Sequence, residues 1–459
     1  MNILNHAILR PYLAFAIMAS LLIFVGTTQS WGVALTLINM CIISAIMTLG
    51  VNIQWGYAGL FNVGIMGFCA LGGAAAVLVS KAPVNEAWSA GGTGIGLAAL
   101  SLIGGCSLVF ILHKTWGKRP FRGTLTFIAA LGVYFLARHF YDPASAAIEA
   151  IDPAKSGYLG GLGLPIIFSW LVGGFFAAGA AWLIGKVTLG LRADYLAIAT
   201  LGIAEIIVAL LKNEDWLTRG AKNVTGLPRP VPYELELQQN NGFIDLVSRF
   251  NSDALANLAT DERAALLQSL VMDASGIFVK LCYSLLFLAV LLVLFTLCQL
   301  ALNSPWGRMV RAIRDNETAA AAMGKDIKAR HLQIFVLGSA VVGIAGAMMT
   351  TLDGQFTPGT YNPLRYTFLI WVMVIVGGSG NNLGSVLGGF LVWFIWIEAE
   401  PFGNWLMALI TSGLDPASAL KAHLLGSAQY MRLMVMGGVL ILVMRYTPGG
   451  ILPERSTAK

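Results

Sequence analysis

Charge is scarce in this chain: only 11% of its 459 residues are Asp, Glu, Lys or Arg, against about a quarter in a soluble domain. So little charge excludes a globular surface of this size in water. Recognisable catalytic patterns are missing too. No GxxxxGK[ST] sequence occurs, which excludes ATP binding on a phosphate loop of this chain. HExxH, GxSxG and Cys–His metal spacings are absent, so neither a catalytic nor a metal site is expected. The five histidines, His6, His113, His139, His331 and His423, are scattered. His113, His139 and His331 fall near the ends of apolar runs and read as interfacial residues. The five cysteines, Cys41, Cys69, Cys106, Cys282 and Cys298, lie in apolar stretches without disulfide spacing and read as small apolar packers. Basic residues exceed acidic ones by 29 to 23, but they cluster in short loops between apolar runs. That is the positive-inside pattern, and it points to membrane rather than nucleic acid. The first apolar run, Pro11 to Val25, leads to Gln29 and Ser30 without a small-x-small cleavage site, so it reads as a span.

What is abundant is apolar sequence, 57% of residues. It falls in stretches near 12–29, 31–53, 55–80, 93–113, 123–141, 163–185, 194–211, 276–301, 331–353, 365–380, 384–400 and 427–446. A helix needs about 20 apolar residues to cross the hydrocarbon. The expected fold is all-α: one polytopic membrane bundle over residues 1–459, with ten to twelve crossings. Loop 114–122 carries Lys114, Lys118, Arg119 and Arg122 without an acid, and loop 302–330 carries six basic residues. Both are expected in the cytoplasm. Loop 142–162 sets Asp142, Glu149 and Asp152 against Lys155 and can face outward. Segment 212–275 is polar, with nine acids and six bases, and is expected outside. Twelve crossings then put both termini in the cytoplasm, in keeping with Arg445, Arg455 and Lys459 at the far end. Leucines recurring between Asp253 and Asp273 predict an amphipathic surface helix, either packed on its own loop or offered to an external partner.

Four segments carry more than hydropathy. In 304–324 (SPWGRMVRAIRDNETAAAAMG), Pro305 suits a first helical position, and Arg311 and Asp315 are spaced to pair. The alanines at 319–322 favour helix and leave a thin surface, and Gly324 suits a left-handed cap. This reads as a short charged helix at the inner face, able to seat in a partner's groove; the plain alternative is a connecting loop. In 190–207 (GLRADYLAIATLGIAEII), Glu205 lies about three turns into a span, where a carboxylate is expensive and should face protein or water. It serves either a pathway or a structural bond. In 52–64 (NIQWGYAGLFNVG), glycines and asparagines interrupt an apolar stretch. Broken helices expose backbone that only protein or a cavity can satisfy, and such breaks mark substrate sites in many transporters. In 377–389 (GGSGNNLGSVLGG), glycines, including the close-packing pair Gly384 and Gly388, fit a tight turn or discontinuous helix.

The run RAIRDNETAAAAMG closely resembles the coupling loop of LIV-type permeases, the branched-chain amino acid ABC importers and their relatives. The stretch LRADYLAIATLG, the pattern NxxxGYAGL and the glycine-rich hinge are similar to that family as well. The resemblance runs from about residue 40 to 452, although the arginine of the family's terminal RPRGL is absent at 446–453. It implies ATPase coupling through Glu317, Ala319, Ala320 and Gly324, with Arg308, Arg311 and Arg314 preceding them. It implies a translocation path touching Asn52, Gly56, Tyr57, Gly59, Asn62, Tyr195, Thr200 and Glu205, and a hinge at Gly377, Gly378, Gly380 and Gly384. The implied partners are a second, homologous permease, two cytoplasmic ATPase subunits that hold the ATP, a periplasmic solute-binding protein and lipid of a bacterial inner membrane. No cofactor is expected on this chain. Leucine, isoleucine or valine is the first solute implied, with urea, other amino acids and small amides among relatives. Fixed cations for a carboxylate lie only near bundle ends, at Arg138 and Arg365, so residues alone do not choose the solute. Segments 212–275 and 401–426 are long for the family. The alternative is an ion-gradient-driven transporter, which would lean on Glu205, Glu398 and Glu400.

Overall fold

The computed structural model describes residues 2–115, 121–152, 156–256, 259–413, 415 and 418–454. Lys118, Arg119, Lys155, Arg455 and Lys459, used above for orientation, and Leu258 lie outside the described residues.

The helices run in order α1 (Asn2–Thr28), α2 (Trp31–Val51), α3 (Ile65–Ser80), α4 (Asn85–Ala87), α5 (Thr93–Thr115), α6 (Arg122–Glu149) and α7 (Ile167–Thr188). Then come α8 (Ala193–Asn213), α9 (Asp215–Thr218), α10 (Glu234–Gln239), α11 (Asn241–Phe250), α12 (Ser252–Leu255) and α13 (Thr260–Asn303). The last are α14 (Pro305–Asp315), α15 (Glu317–Ala322), α16 (Ile327–Asp353), α17 (Pro363–Gly377), α18 (Asn382–Ile410), α19 (Ala419–Gly426) and α20 (Met431–Tyr446). Among the described residues, ten helical stretches are long and apolar enough to cross a membrane, and α3 and α17 are shorter apolar helices. The described strand is a two-residue antiparallel pair, Val224–Thr225 with Gln355–Phe356, which ties the segment after α9 to the end of α16.

At the centre are α2, α3, α16 and α17. Every residue from Cys41 to Val51 of α2 is buried, as in a helix apolar all round. Helix α16 packs on α2, α3 and α7, and α2 also meets α13 and α18. Lipid gives helices no hydrophobic reason to associate, so close backbone approach by small residues does the work. A Cβ on Gly72 would stand 1.9 Å from the Gly343 carbonyl oxygen of α16, and one on Gly346 would stand 2.0 Å from the Cys69 carbonyl oxygen of α3. The outer helices expose apolar side chains instead, such as Leu100, Ile103 and Phe110 on α5 and Phe127 and Phe135 on α6.

Three expectations change. The stretch 55–80 is not one span, because the chain leaves helix at 57–64 and re-enters it at Ile65. The separate amphipathic helix over 253–273 does not form: α12 is one short turn, and residues from Thr260 join a 44-residue helix. At 1.5 Å per residue that helix is roughly 66 Å long, about twice the hydrocarbon thickness. Its polar first turns therefore project beyond the apolar zone. There α10 and α11 pack on them, with Gln238 Nε2 donating to Ser275 Oγ at 3.0 Å and Phe243 beside Phe278. Much of 401–426 likewise extends α18 and forms α19. Cys41, Cys69 and Cys298 are buried packers as expected, whereas Cys106 is exposed.

The close approaches make a specific prediction. Gly72→Ala forces α3 from α16 and is expected to lower stability by about 1–3 kcal/mol, seen as a lower melting temperature of the detergent-purified protein. Gly179→Ala, where a Cβ meets nothing within 4 Å, serves as the control and should leave the melt unchanged.

Candidate functional site

The end of α2 carries the central feature. Its last turn widens to a π-helical turn over Asn52–Gly56, and the backbone then crosses the bundle without helix to Gly64. Local bonds recover part of what the helix loses: the Gly59 amide donates to the Trp55 carbonyl at 2.8 Å, and the Leu60 amide to the Gln54 carbonyl at 2.9 Å. Side chains recover the rest. Asn52 Oδ1 accepts from the Gly380 amide at 2.9 Å, while its Nδ2 donates to Asn382 Oδ1 at 3.0 Å. Gln54 Nε2 donates to the Phe335 carbonyl and to Ser339 Oγ, and its Oε1 accepts from Asn62 Nδ2. Asn62 Oδ1 caps the Gly64 amide, the Asn62 carbonyl accepts from Trp371 Nε1, and Thr200 Oγ1 accepts from the Val63 amide. Trp371 sits between Trp55 and Phe61, each ring centroid 4.6 Å away. Gly56 is required by proximity: a Cβ there would stand 2.5 Å from the Gly380 amide nitrogen.

The turn between α17 and α18 faces this break. Gly378 and Gly380 hold φ of +117° and +79°, values that glycine adopts without steric cost. The C-terminal tail clamps the turn, with the Ile451 and Leu452 amides donating to the Val376 and Gly377 carbonyls, each at 2.9 Å. A Cβ on Gly377 would stand 2.0 Å from the Gly384 carbonyl oxygen, which explains the small residues on both sides of the turn.

The 304–324 segment lies at the same end of the bundle. Ser304 Oγ caps α14, Pro305 opens it, and Gly324 closes α15 with φ +74°. The single expected helix is in fact two, because Asn316 leaves helical geometry and its Oδ1 caps α15 by accepting from the Ala319 amide. The expected Arg311–Asp315 pair does not form either. Asp315 pairs with Arg314 at 3.0 Å, and Arg311 donates to the Leu302 carbonyl. Arg314 reaches furthest: it donates to the Gly56 carbonyl and makes a two-pronged pair with Glu454, at 2.9 and 3.3 Å. Burial opposes its charge, but bonds to Glu454 and Asp315 outweigh burial and raise its pKa above the ordinary arginine value. Arg308, Glu317, Ala319 and Gly324 are exposed, Ala320 is buried, and Met323 stands 79% exposed at the tip of α15.

Of the expected pathway residues, Asn52, Gly56, Tyr57, Gly59, Asn62 and Thr200 gather at the break. Tyr195 and Glu205 do not: both are exposed on the outer face of α8, so Glu205 is not covered by the described residues. Arg138 pairs with Asp142 at the surface, and Arg365 lies over Tyr366 and Trp396. Sequence reading missed Gln54, Trp371, Asn382 and Glu454. Gln54 gave a signal, a third polar amide within an apolar stretch; Glu454 gave none, because its role arises only from tertiary contact.

Residues 144–444 match the family described as "Branched-chain amino acid transport system / permease component". This chain belongs to that family. It is similar to the high-affinity branched-chain amino acid transport system permease protein LivM of Escherichia coli, 27% identical over 284 residues, which is 61% of this chain and 56% of that protein. It is similar to a probable LivM of Methanocaldococcus jannaschii, 28% identical over 170 residues, 37% of this chain and 45% of the other. A probable LivH of the same organism is 28% identical over 103 residues, 22% of this chain and 32% of the other. The chain spans about half the length of the LivM proteins it matches. No solved structure matches it. Family and helices together make it a multi-pass membrane protein of a transport-permease family.

The network around Asn52 yields a test. Asn52→Leu strands the Gly380 amide and the Asn382 side chain in a buried site, at a cost of about 1–3 kcal/mol for a buried group left unpaired. Hydrogen–deuterium exchange is expected to rise in 57–64 and 378–382 while α5 and α6 stay unchanged.

Proposed function

We propose that this chain is a pore-forming permease subunit of an ABC importer for branched-chain or closely similar hydrophobic amino acids in a bacterial inner membrane. In this reading a second, homologous permease completes the pore, two cytoplasmic ATPase subunits supply the energy, and an external binding protein delivers the solute at segment 212–275. The observation that carries the reading is Arg314, which joins the α14–α15 segment directly to the backbone of the helix break. A push on α15 moves α14, and Arg314 passes that movement to Gly56 and, through Glu454, to the clamped turn at 377–381. The exposed Ala319, Ala321, Ala322 and Met323 offer an ATPase groove a small apolar surface. The LivM and LivH likenesses support pairing of two permeases.

The solute class draws support from a small apolar cavity between α2, α3, α16, α17 and α18. Met40, Met47, Met66, Met349 and Met373 line it with Trp393, and its free space of about 30 Å³ holds about one water-sized group. Methionine is flexible and polarizable, so such a wall can open around aliphatic side chains of different shape. The gradient-driven alternative leans on Glu205, Glu398 and Glu400, and dependence of uptake on ATP separates the two.

Glu317→Ala and Gly324→Val are expected to insert and assemble normally but to cut ATP-driven leucine uptake about tenfold, the effect of a barrier change near 1.4 kcal/mol. Uptake unchanged in both variants would remove the coupling role. For orientation, Ser252→Cys in a Cys106→Ser background is expected to react with an impermeant thiol label from the periplasmic side. Labelling only from the cytoplasm would reverse the topology.

A further inference from the structure

A cavity of about 540 Å³ opens at the α14 end of the bundle, between the start of α1, the end of α13 and the C-terminal tail. Arg10 and Arg311 line it together with Tyr57, Asn303, Asn382 and Glu454. Its electrostatics are one-sided. Glu454 is matched by Arg314, whereas among the described residues neither Arg10 nor Arg311 makes an ion pair; Arg311 donates only to the Leu302 carbonyl. Asn382, at the first turn of α18, adds the positive end of a 29-residue helix. Its side chain is 1% exposed, and its Nδ2 is buried without a hydrogen-bond partner. Two guanidinium groups and a helix N-terminus therefore meet at one cavity among the described residues, with an unpaired amide donor buried in its wall.

The surroundings define what fills it. Leu9, Leu13 and Ile17 on α1 and Leu297 and Leu300 on α13 are more than half exposed, and both helices pack on α2. The cavity is thus flanked by two helices that expose apolar side chains beside it. We propose that it binds a phosphate ester, presented as the headgroup of an acidic phospholipid whose acyl chains run along α1 and α13. Basic pockets between membrane helices on the cytoplasmic side suit such headgroups, and guanidinium groups match phosphate oxygens in pairs. The site rests on the orientation in the proposed function and borders the break, but its binding needs neither an ATPase nor an amino acid.

Native mass spectrometry of the full chain, purified in mild detergent with any subunits that accompany it, tests the assignment. The probes are phosphatidylglycerol, phosphatidylcholine and sn-glycerol 3-phosphate. Phosphatidylglycerol is expected to be retained in preference to phosphatidylcholine. Arg10→Gln should weaken that retention about fivefold, as should Arg311→Gln, while Arg445→Gln, exposed at the C-terminal end of α20 and outside the cavity lining, leaves it unchanged. Asn303→Leu, which touches no ion pair, supplies a second variant expected to weaken retention. Equal retention of the two lipids, or equal loss in Arg445→Gln, overturns the site. Glycerol phosphate bound as tightly as the lipid would assign the cavity to a free phosphate ester and overturn the headgroup reading.

Discussion

A helix that stops inside an apolar bundle leaves amides and carbonyls with no water to meet them, and each one left unpaired costs several kcal/mol. The break at 52–64 imposes that constraint on everything around it. Asn52, Gln54, Asn62 and Thr200 are buried polar side chains in a largely apolar region. Each is bonded to backbone freed by the break, to a neighbour that supports it, or to the turn facing it. The close glycines follow from the same demand. Gly56 lets the widened turn come within bonding distance of Gly380, and Gly377 and Gly384 let α17 and α18 close behind it. The site is thus a set of polar repairs that hold two interrupted segments against each other.

Arg314 turns these repairs into a connection. A carbonyl at the end of a π-helical turn accepts from a guanidinium on α14, and the same guanidinium holds a carboxylate on the tail that clamps the 377–381 turn. Two breaks and one surface helix share a single side chain. A rigid-body shift of α14 must therefore stretch or re-form three contacts together. Coupling of this kind requires two arrangements favoured by different ligands, and the proposed ATPase supplies the difference by gripping α15. Lysine does not replace arginine here, because one ammonium lacks the planar fork that serves a carbonyl and both carboxylate oxygens.

How far the sequence reveals this differs from element to element. The spans, the polar segment between α8 and α13, and the caps Ser304, Pro305 and Gly324 follow from local composition and spacing. So does the break, since Asn, Gln and Gly within an apolar run have no place in a continuous buried helix. The division at Asn316 was available in principle, because asparagine before Glu317 is a favoured cap, but the alanine run behind it reads as uninterrupted helix. The Arg311–Asp315 pair fails for a tertiary reason. Arg314 is drawn to Glu454, 140 residues away, carries Asp315 with it, and leaves Arg311 to the Leu302 carbonyl. The length of α13 was hidden because hydropathy changes near residue 276 while helical propensity does not.

The outer face of α8 marks where a single chain ceases to be sufficient. Tyr195, Ile198 and Ile206 are more than 60% exposed there, and Glu205 is exposed in line with them. Ile198 and Ile206 suit lipid; Glu205, within a candidate span, does not, because an ionised carboxylate in hydrocarbon is costly and is tolerated against protein or a water-filled cavity. The described residues do not cover Glu205. In the proposed assembly the second permease does, which places α8 at the seam between the two permeases. Thr200, on the buried face of the same helix, bonds the Val63 amide of the break. One helix then contacts the seam on one side and the interrupted backbone on the other, so a change in how the two permeases meet reaches the break through α8 as well as through Arg314.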